Sequence, residues 1–278
     1  MTGKNITVCG LFEGIGGFPF AASQINQQAL RQANELPLFD WLISTDNDPD
    51  SIEVLRRNFN HKIIDSCIRD FHVSPGINLI LGGFPCKGTT DGGTKTGLNH
   101  PESSLYKEFI RCVKEAQPDI VLLEQPSGFI YRGYDTWTYE ISELGYNNLD
   151  PIIIACCQIG SEANRNRGIY RRVRLFSLSY YADRFCSIRA SEWYDCIRDV
   201  VEETANYPNW LTVEYTGDAV IAWVPSGLAA TSLDEFSLDM RRQKGRIRSR
   251  KLIGRTVTVP QARIALLSAR WLWQRKNC

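Results

Sequence analysis

Short apolar runs alternate with amphipathic stretches through roughly the first two thirds of the chain, the spacing of strands and helices in a parallel sheet. NITVCGLF (5–12) predicts a strand that runs into a glycine turn and then a helix, EGIGGFPFAASQINQQAL. FDWLISTDND (39–48) predicts a second strand ending in acids. PDSIEVLRRNF (49–59) predicts a helix with Pro49 in its first turn. INLILGGFPC (77–86) reads as a buried strand that stops at glycines. SSLYKEFIRCVKEA (103–116) is amphipathic, with Leu105, Phe109, Ile110 and Val113 on one face. PDIVLLEQPS (118–127), YNNLDPIIIACCQI (146–159) and RRVRLFSLSYYA (171–182) read as further strands.

Beyond Ala182 the periodicity degrades. The stretch from Asp183 to Leu238 mixes Trp193, Trp210 and Trp223 with polar residues and turn signals, which suggests a small separate lobe with those tryptophans in its core. VPQARIALLSARWLW (259–273) is amphipathic again and is expected to return to the main core as a helix. The expected organisation is a main domain over 1–182, a small lobe over 183–250 and a C-terminal helical segment over 251–278.

Composition narrows the classes. The 278 residues carry 32 Lys+Arg against 31 Asp+Glu and are 43% hydrophobic, which excludes a disordered, collagenous or coiled-coil chain. The net charge of +1 hides a local asymmetry: from Arg241 to Lys276 there are 12 Lys+Arg and no acid. A run of one sign reads as a phosphate-binding surface or as a basic solvated tail. The nine cysteines contain no C-x-x-C pair, and three scattered histidines add no ligand spacing, so no metal is expected. The N-terminus is too polar for a signal peptide and no apolar run is long enough to span a bilayer. A cytoplasmic location with reduced thiols is the corresponding expectation.

Four features carry chemistry. In FEGIGG, glycines between a strand and a helix let backbone N–H groups approach a polar ligand, although a structural glycine turn looks the same. Asp46 follows at the end of the next strand, where a ribose hydroxyl partner belongs in a doubly wound fold. In GGFPC, Pro85 presents Cys86 at the carboxyl edge of the sheet, within a glycine-rich loop that argues against a buried core cysteine. Lys87 beside it would favour the thiolate. In LLEQP, Glu124 leaves the neighbouring strand at the same edge. In RRVRLF, Arg172 and Arg174 share one face, suited to an anion or a carbonyl, or to a solvated edge strand.

In this order the motifs resemble the cytosine carbon-5 DNA methyltransferases. LFEGIGGF is similar to the first motif of that family, TDND to the second, GGFPC to the fourth with its nucleophile and PESSLYKEFIRCV to the fifth. LLEQP is similar to the sixth, RRVRLF to the eighth and GRTVTVPQARIAL to the tenth. The resemblance implies a doubly wound, Rossmann-like α/β sheet that uses S-adenosylmethionine, with a small target-recognition lobe over 183–250. It implies that Cys86 adds to carbon 6 of a flipped-out cytosine and that Glu124 binds ring nitrogen 3 and the exocyclic amine. Arg172 and Arg174 would hold the pyrimidine carbonyl and a phosphate. For the cofactor it implies that Phe12 stacks on adenine, Gly14 and Gly16 approach it through their backbone, Asp46 takes the ribose hydroxyls and Leu105 packs near the adenosine. The implied partner is double-stranded DNA, bound by a monomer in a prokaryotic or phage-encoded enzyme, with a cognate restriction nuclease as a further partner.

Several positions depart from the family pattern. Gly10 replaces the acid before the first motif, the third-motif acid falls at Cys67 with Asp65 as its stand-in, and Lys87 replaces a glutamine. Gln125-Pro126 replaces Asn-Val, the ninth motif is not recognisable, and the tenth-motif Gly-Asn is Gly254-Arg255. Arg255 opens an alternative in which carboxy-S-adenosylmethionine is the donor and Arg255 reads its carboxylate. Two other readings stand beside these: an RNA cytosine methyltransferase, and a catalytically degenerate nucleic-acid-binding subunit.

Overall fold

The computed structural model describes residues 5–33, 38–155, 158–159, 173–206 and 257–276. Strands β1 (Ile6–Leu11), β2 (Phe39–Asp46), β3 (Lys62–Asp65), β4 (Leu79–Gly82) and β5 (Ile120–Pro126) run parallel in the order β3-β2-β1-β4-β5. Strand β8 (Arg174–Tyr181) pairs antiparallel with β5. The short β6 (Tyr146–Asn148) and β7 (Ile152–Ile154) both pair antiparallel with the far side of β8. Helices α1 (Gly17–Ala33), α2 (Pro49–Asn58), α3 (Tyr106–Ala116), α4 (Phe129–Arg132), α5 (Tyr134–Glu143), α6 (Ala190–Ala205) and α7 (Val259–Trp273) complete the described fold.

Both faces of the sheet are buried, which is why its strands read as continuous apolar runs. Ile6, Val8, Leu79, Leu81, Ile120 and Leu122 face one core, covered by α1, α6 and α7. Their alternates Cys9, Leu11, Ile80, Val121 and Leu123 face a second core, with Phe109 and Val113 of α3, Phe129 of α4 and Trp137 of α5. The period of two along each strand sorts the side chains between the layers. Asp48 caps α2 by accepting from the backbone of Asp50 and Ser51, with Pro49 in the first turn where no donor is needed.

The structure departs from the sequence expectations in four places. The stretch 146–159 is a broken edge, β6 then β7, interrupted at Asp150-Pro151, where proline has no N–H for the ladder. Strand β3, only four residues long and half exposed, carries too little apolar signal to be read from the sequence. Helices α4 and α5 fill a stretch that shows no obvious amphipathic period. Trp193, expected in the core of the small lobe, instead lies on α6 and is 2% exposed. It packs on Trp271 of α7 and donates from its indole N–H to the Asp150 carbonyl at 2.9 Å. Trp210 and Trp223 lie outside the described residues.

The basic C-terminal run is also corrected where it is described. Arg263 is fully buried and pairs with Glu203 at 2.9 Å and with Gln28. Lys276 pairs with Asp119 at 2.8 Å, and the Arg275 guanidinium stacks 3.5 Å from the Trp271 ring centroid. These cations serve the protein's own packing rather than a phosphate surface, because α7 is a core helix. The rest of the run, 241–256, lies outside the described residues. No helix among the described residues is long and apolar enough to cross a membrane.

The turn after β1 holds an unusual buried acid. Glu13 is 6% exposed, its carboxyl buried near Ser44 and Asp46. It folds back over Gly10, so that a Cβ at Gly10 would meet Glu13 Oε2 at 1.7 Å. The acid that residue 10 lacks is thus replaced in space by one from residue 13. Burial pushes the Glu13 pKa well up, the negative charge of Asp46 adds to this, and Ser44 opposes it.

Two outcomes follow from this arrangement. The folded chain keeps a proton on Glu13 that the unfolded chain loses as pH rises through the ordinary value of 4.5, so this group makes stability fall with rising pH. Glu13→Gln is therefore expected to gain stability relative to wild type between about pH 5 and about pH 8, measured by urea unfolding, whereas an equal difference at both would contradict a buried neutral acid. Gly10→Ala is expected to cost about 1–3 kcal/mol by overpacking. The double variant Gly10→Ala/Glu13→Ala should recover most of that loss in the same measurement.

Candidate active site

In the described sheet the strand order reverses at β1, with β2 on one side and β4 on the other. Crevices outside the carboxyl ends of strands form at such a point. The loop after β1 carries Phe12, Gly14 and Gly16, the end of β2 carries Asp46, the loop after β4 carries Cys86 and the end of β5 carries Glu124. Because β8 runs antiparallel, its first residue, Arg174, arrives at the same edge, opposite Pro126. Five elements therefore deliver their chemically capable residues to one line.

On the β1–β2 side, Asp46 accepts from the Gly14 amide at 2.8 Å and from the Asp48 amide at 2.8 Å. Burial raises the Asp46 pKa, while these backbone donors pull it back down. A carboxylate has about four acceptor sites, so capacity remains for two ribose hydroxyls. Phe12 is half-buried and holds φ at +53°, a left-handed conformation that costs a non-glycine residue about 1–3 kcal/mol and collects at binding sites. Gly16 lies against Phe59, where a Cβ would come within 2.4 Å of the ring. Asp65, exposed at the end of β3, is in register with Asp46. Leu105 is half-buried beside the second core, in the turn that enters α3. The set offers an acid and an aromatic surface, while the amides of Gly14 and Gly16 are already taken by Asp46 and the Glu13 carbonyl, so these glycines serve the turn itself.

On the β4–β5 side, Glu124 and Arg174 form an ion pair at 2.6 Å (Oε1 to Nε), both largely buried. Glu124 packs so closely on the strand end before Cys86 that a Cβ at Gly83 would lie 2.6 Å from Glu124 Oε2. That contact requires glycine at 83, and it places the carboxylate against the backbone leading into Phe84-Pro85-Cys86. Cys86 itself is half-buried. Its carbonyl accepts from the Thr89 and Thr90 amides at 3.0 and 2.9 Å, so the thiol opens a tight turn. Lys87, expected to favour the thiolate, points elsewhere: its ammonium pairs with Glu102 at 2.5 Å and is 59% exposed. Arg172 and Arg255 lie outside the described residues, and with Arg255 goes the basis for a carboxylated donor.

Sequence reasoning missed the supports of this site. Gln125 and Ser103 are both buried and hydrogen-bonded to the loop that carries Cys86. Arg132 donates to the Thr89 carbonyl at 3.1 Å and pairs with Asp91 at 2.8 Å, clasping the same loop to α4. The available signal for Gln125 was the strand alternation that turns it to the opposite face from Glu124. Nothing in the sequence distinguishes Ser103 from its neighbour Ser104.

The comparisons agree with this architecture. Residues 6–215 match the model of the C-5 cytosine-specific DNA methylase family. The Type II methyltransferase M.BsuRI of Bacillus subtilis is 32% identical over 146 residues, 46% of this chain and 33% of its own. M.FnuDI of Fusobacterium nucleatum is 28% identical over 138 residues, 48% of this chain and 40% of its own. The chain thus spans well under half the length of these relatives. Among solved structures, S. pombe Dnmt2 methyltransferase superposes with a TM-score of 0.51 at 16% identity, covering 82% of this chain and 65% of that one, which shows the shared fold. With its site residues on one sheet edge and most of its length matched by the family model, the chain belongs to the C-5 cytosine-specific DNA methylase family.

Proposed function

We propose that this chain transfers a methyl group from S-adenosylmethionine to carbon 5 of a cytosine in DNA, through a covalent adduct with Cys86. The observation that carries the reading is the buried Glu124–Arg174 pair at the end of β5, packed against Gly83 on the neighbouring parallel strand's exit, three residues before Cys86. Carbon 5 of cytosine is too weak a nucleophile to react unaided. Addition of the Cys86 thiolate to carbon 6 forms a C–S bond and moves the C5=C6 electron pair onto carbon 5. Glu124, pressed against the backbone before Cys86, would accept from the exocyclic amine and deliver a proton to ring nitrogen 3, drawing charge out of the ring. Arg174 fixes the Glu124 carboxylate and offers its remaining N–H groups to the pyrimidine carbonyl.

S-adenosylmethionine, when bound, supplies the electrophilic methyl group that carbon 5 takes up. Asp46 and Phe12 would hold it, with Leu105 and Asp65 beside the adenosine. Loss of the proton from carbon 5 to a base then restores the double bond and expels the Cys86 thiolate. The base must leave the duplex to reach this edge, which is the usual requirement for chemistry on a stacked nucleotide. Residues 207–256 are the natural place for target recognition, since the described elements are occupied with the sheet and its covers.

The reading is tested with duplex DNA of mixed sequence containing 5-fluorocytosine, S-adenosylmethionine and the full chain. Fluorine at carbon 5 blocks the final elimination, so a denaturant-stable protein–DNA adduct should accumulate with wild type and vanish in Cys86→Ala. Glu124→Gln should slow its formation by about 10²–10⁴-fold. No wild-type adduct with DNA overturns the reading, and an adduct with the matching RNA alone would transfer the activity to RNA.

A further inference from the structure

The loop that carries Cys86 is rich in glycine, at positions 82, 83, 88, 92, 93 and 97, and glycine gives a backbone little rigidity of its own. Two buried side chains supply what the loop lacks. Ser103 Oγ accepts from the Gly88 amide at 3.0 Å and donates to the Pro85 carbonyl at 3.0 Å. Gln125 donates from Nε2 to the Phe84 carbonyl at 2.9 Å, and its Oε1 accepts from the Thr89 hydroxyl at 3.3 Å. Each bridge therefore joins backbone or side chain just before Cys86 to a group just after it. The bridges come from different elements, Ser103 from the turn into α3 and Gln125 from β5, one residue beyond Glu124. Ser103 is 0% exposed and Gln125 1%, so neither bridge competes with water.

Resting on the methyl-transfer reading above, we propose that Ser103 and Gln125 are positioning residues that clamp the Cys86 backbone from both sides and set its sulfur in register with Glu124. A reacting atom displaced by about 1 Å loses on the order of a hundredfold in rate, and an unclamped glycine loop permits displacements of that size. Gln125 adds a direct link between the two reacting groups, because the strand residue that follows the carboxylate also grips the nucleophile's turn. Buried polar groups also need partners for stability alone. Stability does not require that both pairs of partners straddle the same cysteine.

The experiment uses the full chain with S-adenosylmethionine and 5-fluorocytosine duplex DNA, in single turnover. Ser103→Ala deletes one hydroxyl without adding atoms, and Gln125→Met keeps the length while removing both hydrogen bonds. Each is expected to slow adduct formation about tenfold or more, with adduct yield per folded molecule and KM for DNA and donor unchanged. Alkylation of Cys86 by iodoacetamide, followed on its peptide by mass spectrometry, needs no alignment and should stay within about twofold of wild type. The double variant should lose less than the product of the two single losses, because both act on one backbone segment. Unchanged adduct rates in both variants overturn the proposal, as does a loss of yield that accounts for the whole effect, the mark of a purely structural role. If wild type itself forms no adduct, the methyl-transfer reading falls and takes the proposal with it. A wild-type adduct that the variants match sinks the proposal alone.

Discussion

Leu11 lies beside Gly82 and Gly82 beside Leu123, so β1 and β4 stop level with each other while β5 runs three residues further, carrying Glu124 just past that edge. That register governs the rest of the site. A shift of one residue in β4 would turn the segment entering Phe84-Pro85-Cys86 to the other face, since side chains alternate across a sheet. It would also separate Gly83 from the Glu124 carboxylate that packs against it. The two buried cores enforce the register from outside, because a slipped strand would send Ile80 or Leu81 to the wrong layer.

Antiparallel β8 solves a problem that parallel strands cannot. A fifth capable group at the same edge would otherwise need another crossover helix. By entering where β5 leaves, β8 brings Arg174 to Glu124 with no further element between them. At the opposite end of the same pair of strands, Asp119 is 3% exposed and gathers Arg184, Lys276 and the Asn78 amide. Charge is therefore concentrated at both ends of β5, beside Cys86's loop at one and on the interior packing of α7 and the chain around it at the other.

Much of this was legible in the sequence because strand ends are marked by abrupt changes of residue type. NITVCGLF, INLILGG and PDIVLLEQ each pass from apolar residues to glycine or a charge at the point where the sheet stops. Glu124 and the approach to Cys86 fall on those transitions, Asp46 falls on the same kind of change at the end of FDWLISTD, and Arg174 on the reverse change where RRVRLF enters its strand. What escaped reading was whatever depends on partners distant in the chain. Ser103 meets Pro85 and Gly88 only because α3 docks where it does. Glu13 reads as a surface acid beside a glycine turn until Gly10 is seen beneath it. Arg263, one cation among twelve in a basic run, lies in the buried first half of a core helix, where Glu203 and Gln28 receive it. Helices α4 and α5 and the short β3 were missed because their stability comes from packing rather than from local pattern.

The Glu203–Arg263 contact has a consequence for how such a protein can diversify. Glu203 sits in the last turn of α6 and Arg263 in the second turn of α7, so two residues sixty positions apart in the chain are fastened together. A segment whose two attachment points are already fastened together can be lengthened, shortened or exchanged with little change in the loop-closure entropy the core must supply, since that term grows only logarithmically with length. The core is thus insulated from changes of length between these two helices, because the fastening is made by side chains of the helices themselves.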